Sequence, residues 1–223
     1  MNAAARSELV GNGRAGEGEI VLATRSAGKL WELRPIFAEA GLRVIDLSEA
    51  GLPETDDEAQ VECFETFEAN ALAKARHFWS RCGCPVVADD SGLEVCALGG
   101  RPGVRSKRWA GRDDLTGRAL DAANNARLLS ELAGVPDRSA RYVCVAAYVD
   151  GRREILRRGE VYGVVLEFPR GSEGFGYDPY FEATELGRTF GESLREEKAR
   201  VSHRGRAFRE LIDELRTSSR AVD

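Results

Sequence analysis

Apolar residues along the chain alternate between two spacings, and the alternation outlines the fold. Glu19-Ile20-Val21-Leu22-Ala23-Thr24 is a continuous apolar run of the kind a strand buried on both faces requires. From Lys29 to Ala40 the spacing changes: Leu30, Leu33, Ile36, Phe37 and Ala40 recur at helical intervals. Leu42–Leu47 predicts a second strand, and the acidic segment Glu54–Glu58 predicts a surface loop. Thr66–Arg81 is a second helix, with Phe67, Ala71, Ala75 and Phe78 on one stripe. Pro85–Asp89 predicts a short strand that ends at an acid pair. Thr116–Leu132 is a third helix, closed by Gly134 and Pro136. Arg141–Val149 and Glu154–Phe168, joined across Gly151-Arg152, predict a long antiparallel hairpin. The last helix runs from about His203 to Leu215, with Ala207, Phe208, Leu211, Ile212 and Leu215 inward.

Strands that alternate with helices and are followed by a hairpin specify an α/β fold, a mixed sheet flanked by helices. No repeat or linker interrupts it. The expected organisation is a flexible N-terminal tail over residues 1–18, one domain over 19–217 and a C-terminal tail over 218–223.

Composition narrows the function classes. The 223 residues are 43% hydrophobic and 31% charged, as in an ordinary globular protein, and the net charge of -5 gives no basic footprint for nucleic acid. No apolar run approaches a membrane span, and the Ala- and Gly-rich start lacks the apolar core of a signal peptide. Gly11-Asn12-Gly13-Arg14-Ala15-Gly16 matches a loose dinucleotide-loop pattern but precedes the first strand instead of following one, which argues against that role. Five cysteines without CxxC pairs, together with two histidines, leave little material for zinc and suggest reduced thiols in the cytoplasm.

Four segments carry candidate chemistry. In Val87-Ala88-Asp89-Asp90-Ser91-Gly92 a buried strand delivers two adjacent carboxylates to what reads as the rim of a sheet. Such a pair is relieved by a cation, and Mg²⁺ with a phosphorylated substrate fits its hard oxygens. A solvated acidic turn accounts for Asp89-Asp90-Ser91-Gly92 alone equally well. Thr24-Arg25-Ser26-Ala27-Gly28-Lys29, between strand and helix, makes an anion site from helix N–H groups and a lysine, or simply a helix cap. Gly174-Phe175-Gly176-Tyr177-Asp178-Pro179 suits either a loop stacking on a flat ligand or a tight turn with packed aromatics. Lys198 and Ser202-His203-Arg204 could serve phosphate or carbonyl oxygens, or cap a helix.

In this order, with Thr66-Phe67, Asn70-Ala71, Lys74-Ala75 and the stretch from Ala88 through Gly99-Gly100-Arg101-Pro102-Gly103 to Ser106, these segments resemble the inosine triphosphate pyrophosphatase family (dITP/XTP pyrophosphatases). The resemblance spans residues 19 to 217. It implies an elongated, bilobed domain and a homodimer. It also implies Mg²⁺-dependent hydrolysis of ITP, dITP and XTP to the monophosphate and pyrophosphate. By position, Asp90 is implied as proton acceptor and magnesium ligand, and Glu62 as the second magnesium carboxylate. Thr24, Arg25, Ser26, Ala27, Gly28, Lys29, Ser91, Phe175, Gly176, Tyr177, Asp178, Lys198, His203 and Arg204 are implied as substrate contacts. The chain departs from the pattern at Ser26 (Asn in the family), at Cys63-Phe64 (Thr-Gly) and at Ala69 (Glu), so Glu65 or Glu68 stands as an alternative to Glu62. A related pyrophosphatase of the Maf kind and a nucleotide binder without turnover are the competing functions.

Overall fold

The computed structural model describes residues 19–220. The expected N-terminal tail lies outside the described residues, as do residues 221–223 of the expected C-terminal one.

The first half of the chain forms β1 (Ile20–Leu22), α1 (Ala27–Glu39), β2 (Val44–Asp46), a single-turn α2 (Glu58–Val61), α3 (Phe67–Cys82) and β3 (Val86–Val95). The second half forms α4 (Gly117–Glu131), β4 (Ser139–Val149), β5 (Glu154–Val165), β6 (Phe181–Ala183), β7 (Arg188–Thr189), α5 (Arg195–Val201) and α6 (His203–Arg220). The seven strands form one sheet in the order β2-β1-β3-β4-β5-β6-β7. β1 is parallel to β2 and β3, whereas β5, β6 and β7 pair antiparallel. The mixed α/β sheet expected from the sequence is therefore present.

Local chemistry sets the helix starts. Ser26 Oγ accepts the Lys29 N–H at 3.4 Å and Thr66 Oγ1 accepts the Ala69 N–H at 3.2 Å, so each caps the helix after it. α3 closes on Gly83 in the left-handed conformation at φ 66°. α6 runs to Arg220, past the expected end at Leu215 and into the segment expected to be a tail.

β3 departs most from expectation. It does not stop at the acid pair but continues through Asp-Asp-Ser-Gly to Val95, so the carboxylates lie within a strand and not on a solvated turn. The continuation is possible because Gly92 has no side chain. A Cβ there would lie 2.2 Å from the Gly103 carbonyl oxygen and 2.5 Å from Ser106 Oγ. Ser106 then joins the strand to the loop: its Oγ accepts the Leu93 N–H at 2.8 Å and donates to the Gly103 carbonyl at 2.6 Å. The expected acidic surface loop is exposed over 54–57, and only Glu58, at the start of α2, departs from it by accepting from Arg25 and Arg81.

The chain divides into two compact units. The first comprises 19–89, 146–157 and 211–220, with a core that includes Val21, Leu22, Leu33, Phe37, Ala71, Ala75, Phe78 and Val86. The second comprises 90–145 and 158–210, with a core around Leu93, Leu128, Tyr142, Tyr177, Phe181 and Phe190.

Candidate active site

In the first unit, the β1–α1 turn is organised by its own hydroxyls. Thr24 Oγ1 accepts the Ser26 N–H at 3.1 Å, and Ser26 caps α1, so Ala27 and Gly28 begin the helix. No acidic side chain of the helix itself occupies that first turn. Arg25 turns to Glu58, with Nε at 3.1 Å and Nη2 at 2.7 Å. This expected ligand contact thus forms an ion pair within the protein.

Lys29 Nζ lies 2.9 Å from Asp89 Oδ2, and Lys74 pairs with Glu62. Burial pushes the Glu62 carboxyl up, but Lys74 and Lys29 outweigh it and hold Glu62 below the usual range; Asp89 opposes them as a like charge. Two carboxylates and two lysines therefore form one electrostatic cluster. Asn70 on α3 fixes the loop leading to it, accepting the Phe64 N–H at 2.8 Å and donating to the Phe64 carbonyl at 3.1 Å. Among the alternatives to Glu62, Glu65 is exposed and Glu68 sits in the first turn of α3.

In the second unit, Asp90 is 8% exposed, and its Oδ1 accepts the Ser91 N–H at 2.9 Å. Ser91 Oγ accepts from Arg204 Nη2 at 2.8 Å. The 174–178 loop is built around Asp178. Its Oδ2 accepts the Phe175 N–H at 2.9 Å and pairs with Lys198 Nζ at 2.6 Å. Gly174 permits this approach: at φ 75°, a Cβ would lie 2.1 Å from Asp178 Oδ2. Lys198 and Arg204 are nearly fully buried, at 5% and 3% exposure, and both approach the Phe175 ring, 5.1 and 5.8 Å from its centroid. Phe175 itself is 36% exposed. A partly exposed aromatic face beside these cations can stack a flat heterocycle, and Arg204 can offer hydrogen-bond donors to its edge.

The side chain of Tyr177, expected as a ligand contact, turns into the core of its unit. The Tyr177 hydroxyl donates to the Ser106 carbonyl at 2.8 Å, and burial pushes its phenol well above the ordinary value. His203 stacks on Tyr142 with centroids 4.6 Å apart and planes 6° from parallel, which fixes the imidazole plane. Two residues were missed in the sequence. Asp121 Oδ2 accepts the Gly176 N–H and Asn125 Nδ2 donates to the Gly176 carbonyl, each at 2.9 Å. Both are polar residues one turn apart on the helix expected over Thr116–Leu132.

Residues 20–214 match the family model described as the Ham1 family. The chain belongs to the Ham1 family. A dITP/XTP pyrophosphatase of Ralstonia nicotianae is 48% identical over 200 residues, 88% of this chain and 96% of that protein. One from Frankia alni is 50% identical with the same coverage. A Ham1 protein structure from Coxiella burnetii superposes with a TM-score of 0.76 at 36% identity, covering 89% of this chain and 98% of that one.

Proposed function

We propose that this Ham1-family protein hydrolyses deaminated purine nucleoside triphosphates, ITP, dITP and XTP, to the monophosphate and pyrophosphate. The observation that carries the proposal is the Phe175 ring, partly exposed on a loop closed by Asp178 and flanked by buried Lys198 and Arg204. The names of the Ralstonia and Frankia relatives support the substrate class.

Hypoxanthine and xanthine carry a carbonyl oxygen at purine position 6, where adenine carries an amino group. Arg204 and His203 would donate to that oxygen, and the same donors would face adenine's amine hydrogens, leaving buried groups unpaired. Lys29, Lys198 and the N–H groups of the first turn of α1 would bind phosphate oxygens, where charge develops. In the reaction a water oxygen attacks the α-phosphorus and the α–β bridging P–O bond breaks. Pyrophosphate leaves, and the proton of the attacking water passes to Asp90. Asp89, 1% exposed and paired with Lys29, is the structural member of the acid pair.

The donor set fits magnesium. Around Glu62 the available oxygen donors are carboxylates, its own and that of Asp89, with Lys74 and Lys29 beside them. Few protein carboxylates with substrate phosphates completing the shell is how Mg²⁺ is usually held. Glu62 and Asp90 would hold the ion, which when bound supplies charge neutralisation for the phosphates. Excess EDTA is expected to abolish turnover and Mg²⁺ to restore it. Glu62→Gln is expected to raise the Mg²⁺ concentration for half-maximal rate while leaving the ITP/ATP ratio unchanged. Full activity in EDTA would remove the metal from the account, and an unchanged Mg²⁺ dependence in Glu62→Gln would transfer the role to Glu65 or Glu68.

The same reading carries a homodimer acting in the cytoplasm on small nucleotides, not on nucleic acid. Five free cysteines support a reducing compartment, and no described helix is long and apolar enough to cross a membrane.

A further inference from the structure

We infer that Asp121 and Asn125 of α4 are positioning residues for the base-binding loop, setting affinity and selectivity for the purine without touching it. The inference rests on the reading of Phe175 as the base platform. Both residues project from one face of α4 at an i, i+4 spacing and take hold of a single peptide position, Gly176, from two sides. Asp121 accepts its N–H and Asn125 donates to its carbonyl, both at 2.9 Å. On the other side of Phe175, the backbone is held by Asp178, whose Oδ2 accepts the Phe175 N–H. Phe175 therefore lies between two clamps, one made by its own loop and one by a helix more than fifty residues earlier in the chain.

This arrangement suits preorganisation. A ring on a short glycine-rich loop samples many orientations, and stacking must then select one of them at an entropic cost. Fixing Gly176 to α4 removes that freedom before the nucleotide arrives. The neighbouring Asn124 serves the adjacent loop in the same way, accepting the Ala110 N–H at 2.7 Å and donating to the Lys107 carbonyl at 3.0 Å. One polar face of α4 thus holds two loops, of which only the 174–178 loop carries the exposed aromatic ring.

The experiment compares base-dependent with base-independent binding. Asp121 is only half-buried, so Asp121→Ala is the variant expected to fold, with thermal unfolding as the check. Loss of one hydrogen bond to a carboxylate predicts a rise of at least about 10-fold in KM for ITP and in Kd for IMP, with kcat lowered less. Inhibition by inorganic pyrophosphate, which has no base, should stay unchanged. Asp121→Asn keeps an acceptor for the Gly176 N–H and should restore IMP affinity to within about twofold of the unmodified protein. Asn125→Ala should weaken IMP in the same sense. Equal loss of IMP and pyrophosphate affinity, or unchanged IMP affinity in folded Asp121→Ala, would overturn the inference. A failure of the base-platform reading would look different, because the unmodified protein would then show no preference for ITP over ATP.

Discussion

Asp90→Asn is expected to lower kcat for ITP by about 10²- to 10⁴-fold, the usual contribution of a positioned general base, while the fold is retained. Asp90 Oδ1 accepts the Ser91 N–H at 2.9 Å, and an amide oxygen can accept the same bond. Charge and basicity are lost, whereas the local geometry is kept. Asp89→Asn acts differently, since it weakens the ion pair with Lys29 and should alter phosphate affinity and stability first. Steady-state kinetics of both variants, with circular dichroism as the folding check, decide the matter. Near-normal turnover in Asp90→Asn together with a dead Asp89→Asn would mean that the other acid takes the proton.

Asp178→Ala is expected to destabilise the protein by about 3–5 kcal/mol, because it leaves Lys198 as a buried charge without its closest counter-ion. Both partners are almost fully buried, and their separation is 2.6 Å. The same carboxylate accepts the Phe175 N–H, so the loop loses its closure as well. Urea unfolding measures the loss. Removing both charges in Asp178→Asn/Lys198→Met should recover much of the stability, since no buried charge is then left alone, but it should not recover turnover. A loss below about 1 kcal/mol in Asp178→Ala would show that the pair does not hold the loop.

The elements most legible in the sequence were those with a long, regular period. α1, α3 and the first part of α6 each present an apolar stripe over three or more turns, and the hairpin strands β4 and β5 are long enough to show theirs. β6 and β7 have three and two residues, too few for any period to register. β3 was cut short because Asp-Asp-Ser-Gly has the composition of a turn; its continuation depends on Gly103 and Ser106, partners that composition does not reveal.

The site shows the same division. The segments carrying Lys29, Asp90, Phe175, Lys198 and Arg204 were recognisable as an ordered set of motifs. What each side chain does locally was less so. Tyr177 and Phe175 are both aromatics in one glycine-rich loop, yet only Phe175 keeps an exposed ring, because Tyr177 reaches the Ser106 carbonyl in the core. Arg25, expected as a substrate contact, pairs with Glu58, a partner 33 residues away that the β1–α1 segment does not reveal. Asp121 and Asn125 act on a loop far along the chain, and no local pattern announces a contact of that kind.

The central claim is that this chain splits deaminated purine triphosphates between the α and β phosphates and rejects adenine. The most direct measurement is kcat/KM for ITP, XTP and ATP with Mg²⁺, with the products separated and identified. The account predicts monophosphate and pyrophosphate from ITP and XTP, at least about 10²-fold better than from ATP, as expected where a site depends on a buried hydrogen bond to one edge of the substrate. Equal hydrolysis of ATP and ITP, or release of the diphosphate and inorganic phosphate, would contradict it.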